Sequence, residues 1–281
     1  MGCSSGPDNK TQYGLDVINI SGLVTDQLKL YWDAGRTLSY NPNNTDHFWN
    51  DISNSPDSRQ FGLRASGYGS YGENSVASPI FSSDAGGSFV FDGVNDFGTL
   101  QNNSQTQPSV TTGGYQSVPG YSPWYPGSNV TICVWLKTTT TTDAGIWSHC
   151  NGGPVNLSYG VAGGRMRYWY YTAPWQTLDS NAVINDGNWH FCVWAKEGTN
   201  MKQYVDGNLD RNTTLVGSVN GPLYSLASRW GPCYSDSYGA NTNSYGSAFP
   251  GSLAIMMAYH KQLSSSEILQ NYNNLKGRFR S

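Results

Sequence analysis

The sequence predicts an all-β sandwich or barrel with one short C-terminal helix. Aromatic and β-branched runs recur along the chain between Gly, Asn and Asp residues, as is typical of strands. Two of these runs end in Asp-Gly, a dipeptide that favours tight hairpin turns. Only one stretch has a good helical pattern, and it lies near the C-terminus. Many short strands with a single helix indicate a sandwich or a barrel.

Six strands are predicted from these runs, at residues 28–32, 88–91, 130–136, 165–171, 190–195 and 201–205. Hairpin turns are predicted at Asp92-Gly93 and at Asp206-Gly207, because both dipeptides tolerate a positive φ. The dipeptides therefore predict two hairpins.

The helix is predicted over residues 264–275. Ser264 and Glu267 have the spacing of a capping box, and Ile268, Tyr272 and Leu275 fall on one face. Gly277 is expected to end this helix.

Length and composition are compatible with one large domain. The chain has 281 residues, 37% of them hydrophobic and 12% charged, so it can bury a core beneath a weakly charged surface. We expect an N-terminal arm or tail over residues 1–25 and a β-sandwich over residues 26–281. Long loops are predicted at residues 53–79, 101–127 and 233–247, where Gly, Ser, Tyr and Asn predominate.

Charge and cysteine patterns exclude several classes of function. The net charge is −3 and the 16 basic residues are scattered, so no nucleic-acid partner is expected. No secretory signal or transmembrane run is found, which favours a protein made in the cytoplasm or one whose leader has been removed. The five cysteines have no metal-site spacing. Cys133 and Cys192 lie in strand patterns where they could face each other, although free buried thiols are favoured.

An ordered set of segments resembles the laminin G-like branch of the concanavalin A-like lectins and glucanases. The segments are residues 30–35 (LYWDAG), 49–53 (WNDIS), 87–97 (GSFVFDGVNDF), 131–137 (TICVWLK), 186–190 (DGNWH), 201–207 (MKQYVDG), 259–264 (YHKQLS) and 267–268 (EI). The resemblance spans about residues 28–279.

The resemblance implies a two-sheet antiparallel jelly-roll sandwich with one concave sheet. It also implies that the strand at Tyr31 pairs close to the strand that precedes Tyr259. The opening segment and the ending at residues 275–279 (LKGRF) are similar to domains in virion structural proteins of tailed bacteriophages.

Catalytic residues are not predicted. Family members that hydrolyse glucans need two carboxyl groups at a defined separation. The only glutamates are Glu73, Glu197 and Glu267, and none shares a strand with another acidic residue in the required pattern. His190 matches a family position at the start of a core strand, where packing explains it better than chemistry. We therefore expect a protein that is not an enzyme.

Asp92, Asn95 and Asp96 form a candidate calcium site. Three oxygen-bearing side chains within five residues are hard ligands of the kind that calcium takes. Asp and Asn are also the residues that turns prefer for their own hydrogen bonds, and this turn interpretation is favoured.

Aromatic side chains supply the candidate ligand contacts. Tyr121, Trp124 and Tyr125 lie in one long loop, and Trp175 follows the aromatic strand at residues 165–171. Sugar faces stack on aromatic rings, so a glycan or a protein neighbour is the expected ligand. Core packing is the alternative, and for most of the strand aromatics it is favoured because consecutive residues of a strand alternate between faces.

The sequence thus favours a non-enzymatic bacteriophage virion surface protein, on a head, tail or fibre. Its expected partners are other capsid or tail proteins and host-surface glycans, in a larger assembly or homo-oligomer. In that setting residues 1–25 would add a strand to a neighbour's sheet. The alternative is a carbohydrate-binding or adhesion module of a secreted bacterial protein, located outside the cell.

Overall fold

The computed structural model describes residues 22–43, 48–63, 79–94, 96, 98–102, 124–148, 157–217, 223, 225–226 and 248–279. In chain order the strands are β1 (Leu28–Asp33), β2 (Phe48–Asn50), β3 (Arg59–Gly62), β4 (Ile80–Ser82), β5 (Ser88–Asp92), β6 (Gly98–Asn102), β7 (Asn129–Lys137), β8 (Ala144–Ser148), β9 (Leu157–Ala162), β10 (Arg165–Tyr171), β11 (Trp175–Asp179), β12 (Trp189–Glu197), β13 (Asn200–Val205), β14 (Asn208–Thr214), β15 (Ser225–Leu226) and β16 (Pro250–Tyr259). The α-helix, α1, covers Ser265–Leu275.

Within the described residues, the strands form two antiparallel sheets of eight strands each. Sheet A has the order β14-β13-β12-β7-β16-β5-β4, and β1 also pairs with β16. Sheet B has the order β11-β10-β9-β8-β15-β6-β3-β2. The predicted all-β sandwich with one C-terminal helix is confirmed, and Tyr31 pairs with Met257, two residues before Tyr259, as the family resemblance implied.

The main core lies between the two sheets. Alternate residues of the central strands point into it, among them Ile132 and Val134 of β7 and Trp194 of β12. Tyr159 of β9 and Tyr168 of β10 face them from sheet B. Tyr168 and Tyr170 of the aromatic strand therefore belong to the core, as the alternation along that strand predicts.

A second core lies on the opposite face of sheet A, beneath α1 and the C-terminal segment. Trp135 stacks on Phe279 with ring centroids 3.9 Å apart and on Tyr272 at 5.8 Å. Ile268 and Leu275 of the helix are buried against the same face. Sheet A thus buries both of its faces, which explains why its central strands are apolar at almost every position.

The helix begins as the sequence predicts. The Ser264 side chain accepts a hydrogen bond from the Glu267 backbone, and the Glu267 side chain reciprocates at the Ser264 N–H. The prediction for Gly277 is wrong. The α-helix ends at Leu275, and a 3-10 turn at Lys276–Arg278, which includes Gly277, follows it directly. Gly277 is not among the residues with a positive φ, so it does not act as a left-handed cap.

Only one of the two predicted hairpin turns joins paired strands. Asp206 and Gly207 have φ values of 51° and 80° and connect β13 to β14. A side chain at Gly207 would lie 2.9 Å from the Tyr272 ring, so the turn and the helix fit only without one. The hairpin predicted at Asp92-Gly93 is wrong, because β5 belongs to sheet A and β6 to sheet B.

Cys133 and Cys192 are free and buried, as favoured from the sequence. They cannot face each other: Cys133 is paired with Val193 and Cys192 with Val134, so the two thiols point to opposite faces of sheet A. Burial raises the pKa of both thiols. Cys3, Cys150 and Cys233 lie outside the described residues. No helix in the described ranges is long and apolar enough to cross a membrane.

A buried polar network attaches the described start of the chain to the second core. Asn271 of α1 accepts a hydrogen bond from the Val24 N–H at 2.8 Å and donates one to the Tyr259 hydroxyl at 3.0 Å. The Tyr259 hydroxyl in turn donates to the Val24 carbonyl at 3.0 Å. Leu23 and Val24 are buried, so the fold includes residues that the predicted domain boundary at 25/26 assigned to the arm.

We expect Asn271→Leu to lower the free energy of unfolding by about 2–3 kcal/mol, because it leaves the buried Val24 N–H without an acceptor and removes the donor to the Tyr259 hydroxyl oxygen. Urea denaturation of the purified chain measures this difference. The matched control is Asn273→Leu, at an exposed position of the same helix. An equal effect of the two substitutions would show that the network does not stabilise the fold.

Candidate functional site

The outer face of β10 and β11 carries the best candidate for a ligand site. In the described part of the chain α1 lies on sheet A, so no described helix lies on the outer face of sheet B. Here the register places three cross-strand pairs in a row, Arg167 with Asp179, Trp169 with Thr177 and Tyr171 with Trp175. We call these six residues the hairpin face.

One end of the hairpin face is aromatic. The rings of Tyr171 and Trp175 meet edge to face with centroids 5.4 Å apart, and Trp175 is 39% exposed. Trp169 is buried beside them, against Gly160 of β9, where an added Cβ would come within 2.9 Å of the indole. Glycine at that position lets the Trp169 ring lie close to the backbone of sheet B. The rings of Trp175 and Tyr171 therefore offer an apolar surface to a ligand, whereas Trp169 packs beneath the surface.

The other end of the hairpin face is charged. Arg167 makes a two-point ion pair with Asp179, with Nε–Oδ1 and Nη2–Oδ2 distances of 2.5 and 2.7 Å. Asp143 approaches the same guanidinium at 3.5 Å. The hydrogen bonds that Arg167 donates to Asp179 raise the pKa of the guanidinium, which also lies 5.6 Å from the Trp169 ring centroid. The guanidinium therefore links the aromatic and charged ends.

The structure separates the predicted ligand contacts. Trp175 lies on the hairpin face, whereas Trp124 is only 2% exposed. The Trp124 ring stacks between Trp147, at 5.4 Å, and His260, at 4.9 Å. Of the two alternatives left open by the sequence, core packing thus applies to Trp124, whose two ring faces are occupied by protein groups. Tyr121 lies outside the described residues.

Tyr125 is 62% exposed, as a ligand contact would require, but it is not part of the hairpin face. Its carbonyl oxygen lies 3.1 Å from His260 Nε2. Because a carbonyl oxygen can only accept, His260 donates this hydrogen bond from Nε2. Burial lowers the pKa of the same histidine.

The candidate calcium residues form a turn held by its own backbone. Asp96 Oδ2 accepts from the Asp92 N–H at 2.9 Å, and Asp92 Oδ1 accepts from the Val94 N–H at 2.8 Å. These bonds agree with the turn interpretation of the sequence. Asn95 lies outside the described residues. Within the described ranges no group of three or more His, Cys, Asp or Glu residues could hold a metal ion.

The described carboxylates nearest the hairpin face are poorly suited to glycoside hydrolysis. That reaction needs a carboxyl group that donates a proton to the glycosidic oxygen, whereas Asp143 and Asp179 are both engaged in ion pairs with Arg167. Glu267 binds Lys261 and caps α1. Glu73 lies outside the described residues.

His190 has a structural role, because its ring contacts aspartates of two different segments. Its Nδ1 lies 2.9 Å from Asp206 and its Nε2 3.1 Å from Asp186, while the Phe191 N–H donates to Asp206 at 2.8 Å. Asp206 raises the pKa of His190 above its usual value, against the opposing effect of burial. The histidine thus joins the segment before β12 to the β13–β14 turn, which agrees with a packing role.

Sequence reasoning found Trp175 but missed the charged half of the hairpin face. Thr177 and Asp179 were not predicted as site residues because β11 (WQTLD) has no apolar run. Arg167 was predicted only as part of the strand at residues 165–171. The signal available was the two-residue alternation of Arg167, Trp169 and Tyr171, which puts all three on one face once Tyr168 and Tyr170 are assigned to the core.

A family model described as "Concanavalin A-like lectin/glucanases superfamily" matches residues 110–269, more than half of the chain. A comparison with curated proteins gives no significant match.

Solved structures share the fold at low sequence identity. Domain 4 of AbnA, a GH43 extracellular arabinanase from Geobacillus stearothermophilus, in complex with arabinotriose, is 13% identical with a TM-score of 0.54; the match covers 88% of this chain and 98% of that domain. The binding domain of Paraclostridial Mosquitocidal Protein 1 is 9% identical with a TM-score of 0.55, at coverages of 89% and 52%.

A third similar structure is that of botulinum neurotoxin type C, whose cell entry depends on interaction with two ganglioside molecules. It is 10% identical with a TM-score of 0.56, and the match covers 90% of this chain and 52% of that one. This chain therefore spans about half the length of the toxin binding domains.

The raised pKa of His190 gives a pH prediction for stability. Protonated His190 is stabilised between Asp186 and Asp206 in the folded state only, so its contribution is complete below the pKa of an unfolded histidine, about 6.5, and is lost as the pH rises through the higher folded pKa. The stability advantage of the unmodified chain over His190→Gln should therefore be larger at pH 5.5 than at pH 8.5. Denaturant unfolding at both values measures it, and a constant difference would contradict the prediction. His260→Gln is the comparison, because the lowered pKa of His260 predicts the opposite trend with pH.

Proposed function

The chain belongs to the concanavalin A-like lectin/glucanases superfamily, and on this premise we propose that it is a carbohydrate-binding domain whose binding surface is the hairpin face. The observation that carries the proposal is the pairing of exposed Trp175 with half-buried Tyr171, in register with the Arg167–Asp179 ion pair. Aromatic rings stack on the apolar faces of sugars, and fixed polar groups beside them bind hydroxyls.

The similar structures support this proposal. The arabinanase domain is in complex with arabinotriose and matches over nearly its whole length, and the neurotoxin interacts with gangliosides. The ligand positions of those proteins are not transferred to this chain, because at about a tenth of identical residues the likeness supports the fold and not a site.

Binding without catalysis is part of the proposal. The carboxylates of the hairpin face are held by Arg167, and the described glutamates lie at the end of β12 and in the α1 cap. Bound oligosaccharide should therefore be recovered uncleaved.

Trp175→Ala is expected to weaken glycan binding by about tenfold, ~1.4 kcal/mol, because it removes the exposed ring of the platform. A glycan array with the purified chain identifies a ligand, and isothermal titration calorimetry with that ligand compares the variants. Tyr125→Ala, which removes an exposed aromatic ring outside the hairpin face, is the matched control and should bind normally.

Each outcome of this experiment has a separate meaning. Normal binding by Trp175→Ala would place the site elsewhere. An array without any bound glycan would overturn the proposed function.

We further propose that the domain is displayed on a bacteriophage virion, as a head decoration or a tail or fibre component. The support is the similarity of residues 30–35 and 275–279 to domains of virion structural proteins. The competing proposal, a module of a secreted bacterial protein, is favoured by the match to a domain of an extracellular arabinanase.

The two locations are distinguished by composition. We expect mass spectrometry of purified particles from a lysate of the source to find the chain at a fixed copy number, and electron microscopy with a specific antibody to locate it on the head or tail. Recovery in the particle-free supernatant alone would support the secreted module.

A further inference from the structure

We infer that the hairpin face selects uncharged oligosaccharides and discriminates against acidic ones such as sialylated glycans. This inference rests on the proposed function, since it specifies the ligand class of the same site. It follows from how the charged groups of the hairpin face are already paired.

The guanidinium of Arg167, which is the cation of the hairpin face, already binds two carboxylates. Arg167 directs Nε and Nη2 at the two oxygens of Asp179 and Nη1 at Asp143. A carboxylate of an acidic sugar would have to displace Asp179 from a two-point ion pair, the strongest geometry that an arginine offers. The free energy gained from the new ion pair would be offset by the loss of the existing Arg167–Asp179 pair.

The neighbouring arginines are tied to backbone carbonyls. Arg211 donates to the Asp179 carbonyl at 2.6 Å, and Arg165 donates to the carbonyls of Ser180 and Asn181. Asp210 accepts from the N–H groups of Asn181 and Ala182 at 2.6 and 2.9 Å. Among the described residues of this cluster, the formal charges of three arginines are balanced by those of Asp143, Asp179 and Asp210, so the cluster does not attract an acidic ligand by net charge.

The same groups suit the hydroxyls of a neutral sugar. A carboxylate has about four lone-pair directions, so Asp179 retains acceptor capacity after its two bonds to Arg167. Thr177, which is exposed between the aromatic and charged ends, adds a hydroxyl that both donates and accepts. Hydroxyl donors facing two carboxylates are favourable, whereas a third carboxylate is repelled.

The experiment compares neutral and acidic probes by titration calorimetry on the full chain at low salt. Arabinotriose, cellotriose and maltotriose are the neutral probes, and 3′-sialyllactose is the acidic one. We expect the best neutral probe to bind at least about tenfold more tightly than 3′-sialyllactose. Tighter binding of 3′-sialyllactose would overturn the inference while leaving the proposed function intact; binding of none of these probes nor of any array glycan would overturn the proposed function itself.

A substitution tests whether the Arg167–Asp179 pair causes the selectivity for neutral sugars. Asp179→Ala releases Arg167, so the ratio of neutral to acidic affinity should fall by about tenfold or more, with 3′-sialyllactose binding gained. Asp57→Ala removes an aspartate from a surface pair with Lys29 and should leave the ratio unchanged. An unchanged ratio in Asp179→Ala, with a thermal unfolding curve like that of the unmodified chain, would show that the Arg167–Asp179 pair does not set the selectivity.

Discussion

Burial of both faces of sheet A is the constraint on which the rest of the structure depends. The inner face packs on sheet B, and the outer face needs a second cover, which α1, Leu23, Val24 and Phe279 supply. The apolar area removed from water on the outer face favours docking of these segments at both ends of the chain. The buried hydrogen bonds of Asn271 with Val24 and Tyr259 then fix their positions, because any other arrangement would leave polar groups buried without partners.

Arg278 completes this cover at the other end of β1. It donates to Asp33, which is buried, and to the carbonyls of Ala85 and Gly87. The C-terminal segment thereby contacts β1 and the turn before β5. An ion pair of this kind stabilises one docking geometry more than it adds to the overall stability, since its desolvation offsets much of the attraction.

The asymmetric use of the helix determines where a ligand can bind. Because α1 covers sheet A, the outer face of sheet B is the face on which aromatic and charged side chains lie without a helix above them in the described structure. The β10–β11 pair at the edge of that sheet presents Tyr171, Trp175 and Thr177 beside the Arg167–Asp179 pair. Side chains on paired strands are fixed by the register, so such a surface is ordered before a ligand arrives, which lowers the entropic cost of binding.

The fold class, six of the strands and the helix follow from residue patterns alone. Residues 130–136, 190–195 and 201–205 are apolar runs with sharp boundaries, and the capping box at Ser264 and Glu267 is a local signal. Short or polar strands such as β2, β11 and β14 escaped detection, because pairing with neighbours and not their own composition makes them strands.

The exposure of the aromatic residues and the pairing of the charges depend on tertiary contacts and could not be predicted from the sequence. Trp124 and Trp175 look alike in the sequence, yet one stacks between Trp147 and His260 and the other lies at a sheet edge. Asp92-Gly93 and Asp206-Gly207 look alike too, but only the second joins neighbouring strands. The physical reason is the same in each case: local residue preference fixes the backbone conformation, whereas burial and pairing depend on residues that are distant in the sequence.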